Sequence, residues 1–309
     1  MILLTGATGF IGSSIVKKLN GHVRCVVRDK SRALSVGREV FYIESLSSNT
    51  NWLGAFVDVE AVIHLGGRAH ILKDYSCDPL GQFRQTNTAA TLTLARNAAS
   101  HGVKRFVFVS SIGVNGSSNT RPFKETDPPC PVGNYAISKF EAEEGLRKIA
   151  QETDMEVVII RPPMVYGPEA PGNFSSLLRL VCNGIPLPFG SVHNKRSLIA
   201  LENLTDFILH CTWHPKAGNE TFLIADDQDV SISELIRFIA FATHRPCRIF
   251  PFPVLFLKMG AILIGRGAAS AKLLGSLQVD ISKAKKVLGW MPPITMREQF
   301  LLIERQIKN

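Results

Sequence analysis

No two of the six cysteines (Cys25, Cys77, Cys130, Cys182, Cys211, Cys247) form a C-x-x-C pair. Scattered in this way, they suggest neither a metal site nor a disulfide framework, and a reducing cytoplasm is the expected compartment. Long apolar runs are also lacking. The most apolar late stretch, VLFLKMGAILIG from Val254 to Gly265, contains Lys258 and is too short to cross a hydrocarbon core of roughly 30 Å. Stable membrane insertion is therefore not expected. A buried or substrate-domain helix is the simplest reading of this stretch, and contact with a membrane surface stays open. No signal peptide is read, because the first apolar run begins at Ile2 and leads straight into a glycine loop. Zinc-finger spacing, an aromatic RNA-binding signature and a long basic run are all missing, so nucleic acid is not an expected partner. There is no internal repeat and no low-complexity segment.

What is present is an ordinary globular chain of 309 residues, 45% apolar and 20% charged. Such a composition supports a full core in one large domain or two modest ones. Lys and Arg number 35 against 26 Asp and Glu, a net charge of +9. Much of the excess lies in the first forty residues, where Lys17, Lys18, Arg24, Arg28, Lys30, Arg32 and Arg38 face only Asp29 and Glu39. A local excess of this kind suits a polyanionic small molecule.

Apolar runs at Ile2–Leu4, Val23–Val27, Val40–Ile43, Ala61–Leu65, Phe106–Val109 and Val157–Ile160 predict buried parallel strands. Helical spacing predicts helices over Gly12–Leu19, Thr86–Ser100 and Ala136–Gln151. This alternation predicts an α/β, Rossmann-type doubly wound parallel sheet. It breaks after Arg161, at the Pro- and Gly-dense RPPMVYGPEAPGNF. Residues 1–167 are expected to form a dinucleotide-binding domain and 168–309 a smaller, mostly helical substrate domain, with the segment around 195–225 returning to the first. Ser231 with Glu234, and Thr295 with Glu298, have capping-box spacing. A helix over Ser282–Leu288 is expected to stop at Gly289.

Three stretches carry chemistry. TGATGFIG places Gly6, Gly9 and Gly12 between a strand and a helix, with Thr8, Phe10 and Ile11 in the same loop. Glycines there let backbone N–H groups approach a pyrophosphate at a helix N-terminus; the plain alternative is an ordinary turn. The next strand ends at Arg28, whose guanidinium suits a 2′-phosphate and so favours NADP(H). Asp29 is one residue away and keeps NAD(H) open. In YAISK, Tyr135 and Lys139 share a helix face. The ammonium, with a cationic nicotinamide, is expected to lower the phenol pKa from its usual value near 10; the plain alternative is a surface Tyr beside a solvated Lys. Ser110 and Ser111 close an apolar strand at the edge where ligands bind such sheets, though a strand-end serine can equally cap a turn.

Together these residues resemble the extended short-chain dehydrogenase/reductase family, within the NAD-dependent epimerase/dehydratase group. The resemblance covers nearly the whole chain. It rests on TGATGFIG, AVIHLGG, TNTAAT, VSSIGVNG, YAISK and RPPMVYGP, then NKRSLIALENL and LGSLQVDISKAKKVLGW. The later segments look most like bacterial 4-keto reductases that form UDP-N-acetylquinovosamine for surface polysaccharide, lipopolysaccharide and O-antigen among them.

The resemblance implies that Gly6, Gly9 and Gly12 hold the pyrophosphate. Arg28 falls where NAD-specific members carry a ribose-binding acid. Leu46 would lie at the adenine edge, with Ser45 where an Asp is common. Leu65, Gly66 and Gly67 would line the cofactor, the two glycines replacing the usual alanines. Asn87 would order the central strand ends. Ser111, rather than Ser110, takes the catalytic Ser/Thr position, Tyr135 that of the acid/base, and Lys139 that of its ribose-binding partner. Ser110 is also expected beside the cofactor, and Pro162 and Val165 near the nicotinamide. Asn173 and Arg196 would meet the diphosphate of a UDP-sugar. Asn115 replaces the Tyr of the commoner VYG. A homodimer is expected, packed through the Thr86–Ser100 and Ala136–Gln151 helices.

The leading expectation is an NADPH-dependent reductase of a UDP-4-keto-6-deoxy-hexosamine. The alternatives are a UDP-sugar 4-epimerase with tightly held NAD, and a dinucleotide-sensing protein without turnover. His64 is read as a satisfied core histidine, His70 as a surface loop residue, and the Lys283, Lys285, Lys286 cluster as a solvated helix face.

Overall fold

The computed structural model describes residues 1–19, 21–29, 31, 39–69, 76–263, 265 and 267–308. Lys30, Arg32, Arg38 and His70 lie outside the described residues. The apolar runs become strands β1 (Ile2–Thr5), β2 (Val23–Val27), β3 (Glu39–Tyr42), β4 (Ala61–His64), β5 (Arg105–Val109) and β6 (Glu156–Arg161). β1, β2 and β4 are buried at every position. A parallel sheet covered by helices on both faces needs unbroken apolar runs rather than alternation.

Helix α1 (Phe10–Lys18) follows the glycine loop. The next helical stretch starts earlier than its periodicity suggests. Asp78 caps α2 (Pro79–Phe83) by accepting from the Gly81 N–H, a strong start signal with Pro just inside. A wide π-type turn over Arg84–Ala89 then leads into α3 (Ala90–Ser100). Helix α4 (Asn134–Glu152) buries Ala136, Ala142, Leu146 and Ile149. It also buries Ser138, Lys139 and Glu143 on that side, three polar residues that need partners inside.

The chain after Arg161 is mostly helical, with short strands between the helices. It contains β7 (Met164–Tyr166), α5 (Asn173–Cys182), β8 (Arg196–Ala200), α6 (Leu201–Trp213), β9 (Thr221–Leu223) and β10 (Asp229–Val230). Then come α7 (Ile232–Ala242), α8 (Val254–Leu263), α9 (Gly267–Leu274), α10 (Ser282–Leu288) and α11 (Met296–Lys308). These strands are only two to five residues long, too short for a periodic signal.

Among the described residues, seven strands form one parallel sheet in the order β3-β2-β1-β4-β5-β6-β9. It is a Rossmann-like α/β fold. β10, β8 and β7 form a smaller mixed sheet. One apolar core packs α1 and α6 on one face of the large sheet, through Ile15, Leu204 and Phe207. A second packs α3 and α4 on the other face, through Leu94, Ala98, Ala142 and Leu146. A third lies in the C-terminal part, around Tyr166, Phe174, Ile236 and Phe300.

Both capping boxes form, and Gly289 closes α10 in a left-handed conformation, φ 63°. The lysine cluster is more engaged than a solvated face. Lys283 pairs with Glu220 at 2.6 Å and lies over the Phe222 ring, and Lys285 pairs with Asp227.

Candidate active site

The glycine loop fits a dinucleotide pyrophosphate. Gly9 is the N-cap of α1, so no side chain caps the helix's first N–H groups, and its first turn holds no acid. Those donors and the positive end of the helix are left for an anion. A Cβ on Gly12 would stand 2.1 Å from the Gly6 carbonyl oxygen, so only glycine permits this tight return. Thr8 and Gly9 are exposed, Phe10 and Ile11 half-buried. The adjoining wall is Leu65, Gly66 and Gly67 after β4. A Cβ on Gly66 would meet Leu46 Cδ2 at 2.9 Å, and one on Gly67 would meet Asn87 Oδ1 at 3.0 Å and Lys139 Nζ at 3.8 Å. The fold thus gathers Gly6, Leu46, Leu65, Gly66, Gly67, Asn87 and Lys139, which are scattered along the sequence. Ser45 is exposed and belongs to a turn with Ser47 and Thr50.

A hydrogen-bonded chain runs from this wall to the helix carrying Tyr135. The Thr91 hydroxyl donates to the Asn87 carbonyl at 2.7 Å, so toward His64 Nε2, 2.8 Å away, it acts as acceptor. His64 therefore carries its proton on Nε2 and accepts at Nδ1 from the Thr5 hydroxyl, 2.6 Å away. Thr5 in turn accepts from the Gly66 N–H. Burial, aided by the nearby Lys139 ammonium, holds His64 neutral with its pKa lowered to about 3. His64 is the satisfied core histidine expected. Asn87 is fully buried. It binds the main chain of Arg68 on both sides and donates to Ser138 Oγ, which donates to the Tyr135 carbonyl.

Tyr135 lies in the first turn of α4, half-buried, with its ring edge-on to Phe83 at 6.2 Å. Ser111 Oγ accepts from the Gly113 N–H at 3.1 Å and caps the turn Ile112–Val114. That bond occupies a lone pair and leaves the O–H to donate. A Cβ on Gly113 would lie 3.3 Å from Ser111 Oγ and 3.5 Å from the Ala136 Cβ, which puts Ser111 beside the start of α4. Lys139 Nζ donates to the Val109 carbonyl at 2.9 Å and sits 4.4 Å from the Phe108 ring centroid.

The expected lowering of the Tyr135 pKa does not occur in the chain itself. Burial pushes the phenol up to about 12. Lys139 is itself brought down to about 8 by burial, against an opposing pull from Glu143. Its positive charge is thus lost as pH rises through about 8, well below the ordinary 10.5. Dinucleotide KM is expected to rise across that pH, while Lys139→Met should give a weaker but flat profile. A wild-type KM unchanged from roughly pH 7 to 9 would contradict the assignment.

The Ser110 hydroxyl, expected beside the cofactor, donates to Glu143 Oε1 at 2.6 Å inside the core, so that oxygen is already engaged. The sequence reading also missed what Glu143 does. This fully buried carboxylate accepts from Ser110, from Arg161 Nε and Nη2, and from Arg147 Nη2. Arg161 Nη1 donates to Asn115 Oδ1 at 2.9 Å, which gives the unusual Asn115 a partner. The available signal was spacing: Glu143 stands four residues after Lys139 on one helix face.

At the end of β2, Arg28 is exposed. The Asp29 carboxylate accepts from the Ser31 N–H and hydroxyl, which folds it into its own turn. Pro162 is buried and its carbonyl accepts from the Ile112 N–H; Val165 is half-buried. Asn173 is exposed at the start of α5. Arg196 Nη1 donates to the Lys272 carbonyl in α9 and to the Gly275 carbonyl just after it. Among the described residues no cluster of His, Cys, Asp and Glu could hold a metal ion.

Residues 2–225 match the NAD dependent epimerase/dehydratase family. The chain is 44% identical to a UDP-glucose 4-epimerase of Vibrio cholerae, over 97% of this chain and 93% of that protein. It is 27% identical to a dTDP-4-dehydro-6-deoxyglucose reductase of Escherichia coli, over 100% of this chain and 96% of the other. The solved UDP-glucuronic acid 4-epimerase of Bacillus cereus, bound to UDP-glucuronic acid and NAD, superposes with a TM-score of 0.80. That likeness spans 99% of this chain and 98% of the other, and at 19% identity it is a likeness of fold.

Proposed function

The chain belongs to the NAD dependent epimerase/dehydratase family, and from that premise we propose that it is an NADPH-dependent reductase acting at C4 of a UDP-4-keto-6-deoxy-hexosamine. The observation that carries this reading is the end of β2, where Arg28 is exposed and the Asp29 carboxylate is folded into its own turn, an arrangement that suits a 2′-phosphate rather than a ribose diol. Tyr135, protonated at neutral pH, can give its proton to a ketone oxygen.

When bound, the reduced dinucleotide supplies the hydride. Tyr135 gives its proton to the C4 oxygen and Ser111 donates a hydrogen bond to the same atom. Lys139 anchors the dinucleotide ribose. Gly6, Gly9 and Gly12 take the pyrophosphate, and Asn173 and Arg196 the diphosphate of the sugar nucleotide. Residues 1–167 would hold the dinucleotide and 168–309 most of the sugar nucleotide, and two copies would pair through α3 and α4. The product would enter surface-polysaccharide synthesis. The test is stoichiometric NADPH loss with the 4-keto sugar, with the product identified by NMR. An unreduced ketone and no NADPH loss would overturn the proposal.

Arg28 supports the choice of NADPH, because the neighbouring Asp29 carboxylate is engaged in its own turn. A guanidinium–phosphate pair is worth about 1.5–3 kcal/mol. Arg28→Ala should therefore weaken the preference for NADPH over NADH by roughly ten- to a hundredfold in kcat/KM. An unchanged ratio would remove Arg28 from cofactor selection.

A second reading, a UDP-sugar 4-epimerase, is favoured by the name of the Vibrio cholerae relative. It uses the same residues but keeps one NAD bound through both half-reactions. Purified protein that carries NAD and interconverts UDP-hexoses without added cofactor would decide for it.

A further inference from the structure

Helix α8, read from the sequence as a buried or substrate-domain helix with membrane-surface contact open, has no buried residue. Its inner side is used: Val254 and Leu257 pack on the third core, as does Leu274 of α9. Its outer side is not. Leu255, Phe256, Met259, Ile262 and Leu263 are between 50% and 84% exposed, and Phe250 and Phe252 extend the patch before the helix. The hairpin is anchored at both ends. At the start the Leu187 N–H donates to the Arg248 carbonyl and the Leu187 carbonyl accepts from the Phe250 N–H, and at the end Asn194 donates to the Leu273 and Gly275 carbonyls. An anchored element that presents several large apolar side chains together marks an interaction surface.

The charge pattern around it is one-sided. From Leu235 to Val279 the sequence contains no Asp or Glu, while it carries Arg237, Arg245, Arg248, Lys258, Arg266 and Lys272. Lys258 is exposed within α8 itself, and Arg245 and Arg248 are exposed where the chain enters the hairpin. No helix among the described residues is long and apolar enough to cross a membrane. A short helix with an apolar outer side and basic flanks is instead suited to lie in a bilayer interface, with the cations at anionic headgroups. A symmetric second copy is a poorer occupant, since self-pairing would bring two acid-free basic segments together.

We propose that the outer face of the α8–α9 hairpin docks on the anionic leaflet of a lipid bilayer. The Arg196 guanidinium is held by carbonyls of this same hairpin, so docking would set that side of the protein at the headgroup layer. The proposal stands independently of which sugar is reduced.

The test is co-flotation of the full chain with vesicles of phosphatidylglycerol and phosphatidylethanolamine, and with pure phosphatidylcholine vesicles. Wild type should float with the anionic vesicles, and molar salt should release much of it. Leu255→Ser/Met259→Ser/Ile262→Ser should lower the partition coefficient at least tenfold. Lys258→Glu, which leaves the apolar face intact, should lower it several-fold. Circular dichroism melts report folding of each variant, and Lys258→Glu alone decides the matter if the triple variant does not fold. No flotation of wild type, or equal flotation of wild type and Lys258→Glu, would overturn the proposal. So would sedimentation showing that the triple variant splits a dimer while wild type ignores vesicles, which would assign the face to a second copy.

Discussion

Tyr135→Phe should lower turnover by roughly 10²- to 10⁴-fold, the usual worth of a positioned general acid. The substitution removes one oxygen and little else. The ring keeps its edge contact with Phe83, and the main chain at this position stays tied to Ser138 Oγ through its carbonyl. Lys139 keeps its bond to the Val109 carbonyl, so dinucleotide binding and thermal stability should be nearly unchanged. The loss should therefore appear in kcat rather than in the dinucleotide KM. Steady-state kinetics with a melting curve on the same preparation checks both. Undiminished activity in Tyr135→Phe would remove the catalytic assignment and favour a dinucleotide-binding protein without turnover.

Glu143→Ala should destabilise the fold by about 3–5 kcal/mol, because it leaves a buried guanidinium without its carboxylate. Arg161 is 2% exposed and has three of its contacts on Glu143, the shortest 2.5 Å. The same change takes the acceptor from the Ser110 hydroxyl. Glu143→Gln keeps an oxygen but turns an NH2 toward donors, so it should cost less than Ala while remaining clearly destabilising. Replacing both members, Glu143→Leu with Arg161→Met, should recover much of the loss by removing the unpaired charge. Urea unfolding orders the three variants, and equal stability of Glu143→Ala and wild type would contradict the account. The folded Glu143→Gln protein offers a second readout. Glu143 raises the Lys139 pKa, so its loss should move the Lys139 transition in the KM profile to lower pH.

The sheet was legible in the sequence because a buried parallel strand must be an unbroken apolar run, and six apolar runs stand out between helical stretches; of these, the edge strand β3 is exposed or half-buried throughout rather than buried. Capping boxes and Gly289 were legible for a similar reason, since caps are made by residues three or four apart. The edge strand β9 was not, because three residues carry no period. Nor was the exposure of α8, because an apolar stretch reads alike whether its neighbours cover it or not.

By itself the sequence determined the glycine loop, the positions of Ser111, Tyr135 and Lys139, and the basic character of the β2 end at Arg28. These depend on residue types at short spacing or on a resemblance carried by such motifs. Only the tertiary structure decided the proton states and the partners. Burial, not the neighbouring ammonium, sets Tyr135. The core claims the Ser110 hydroxyl. His64, Thr91 and Asn87 link the glycine wall to α4 through bonds between residues far apart in the chain. Desolvation and charge pairing depend on what surrounds a group in three dimensions, and no local pattern of residues specifies that surrounding.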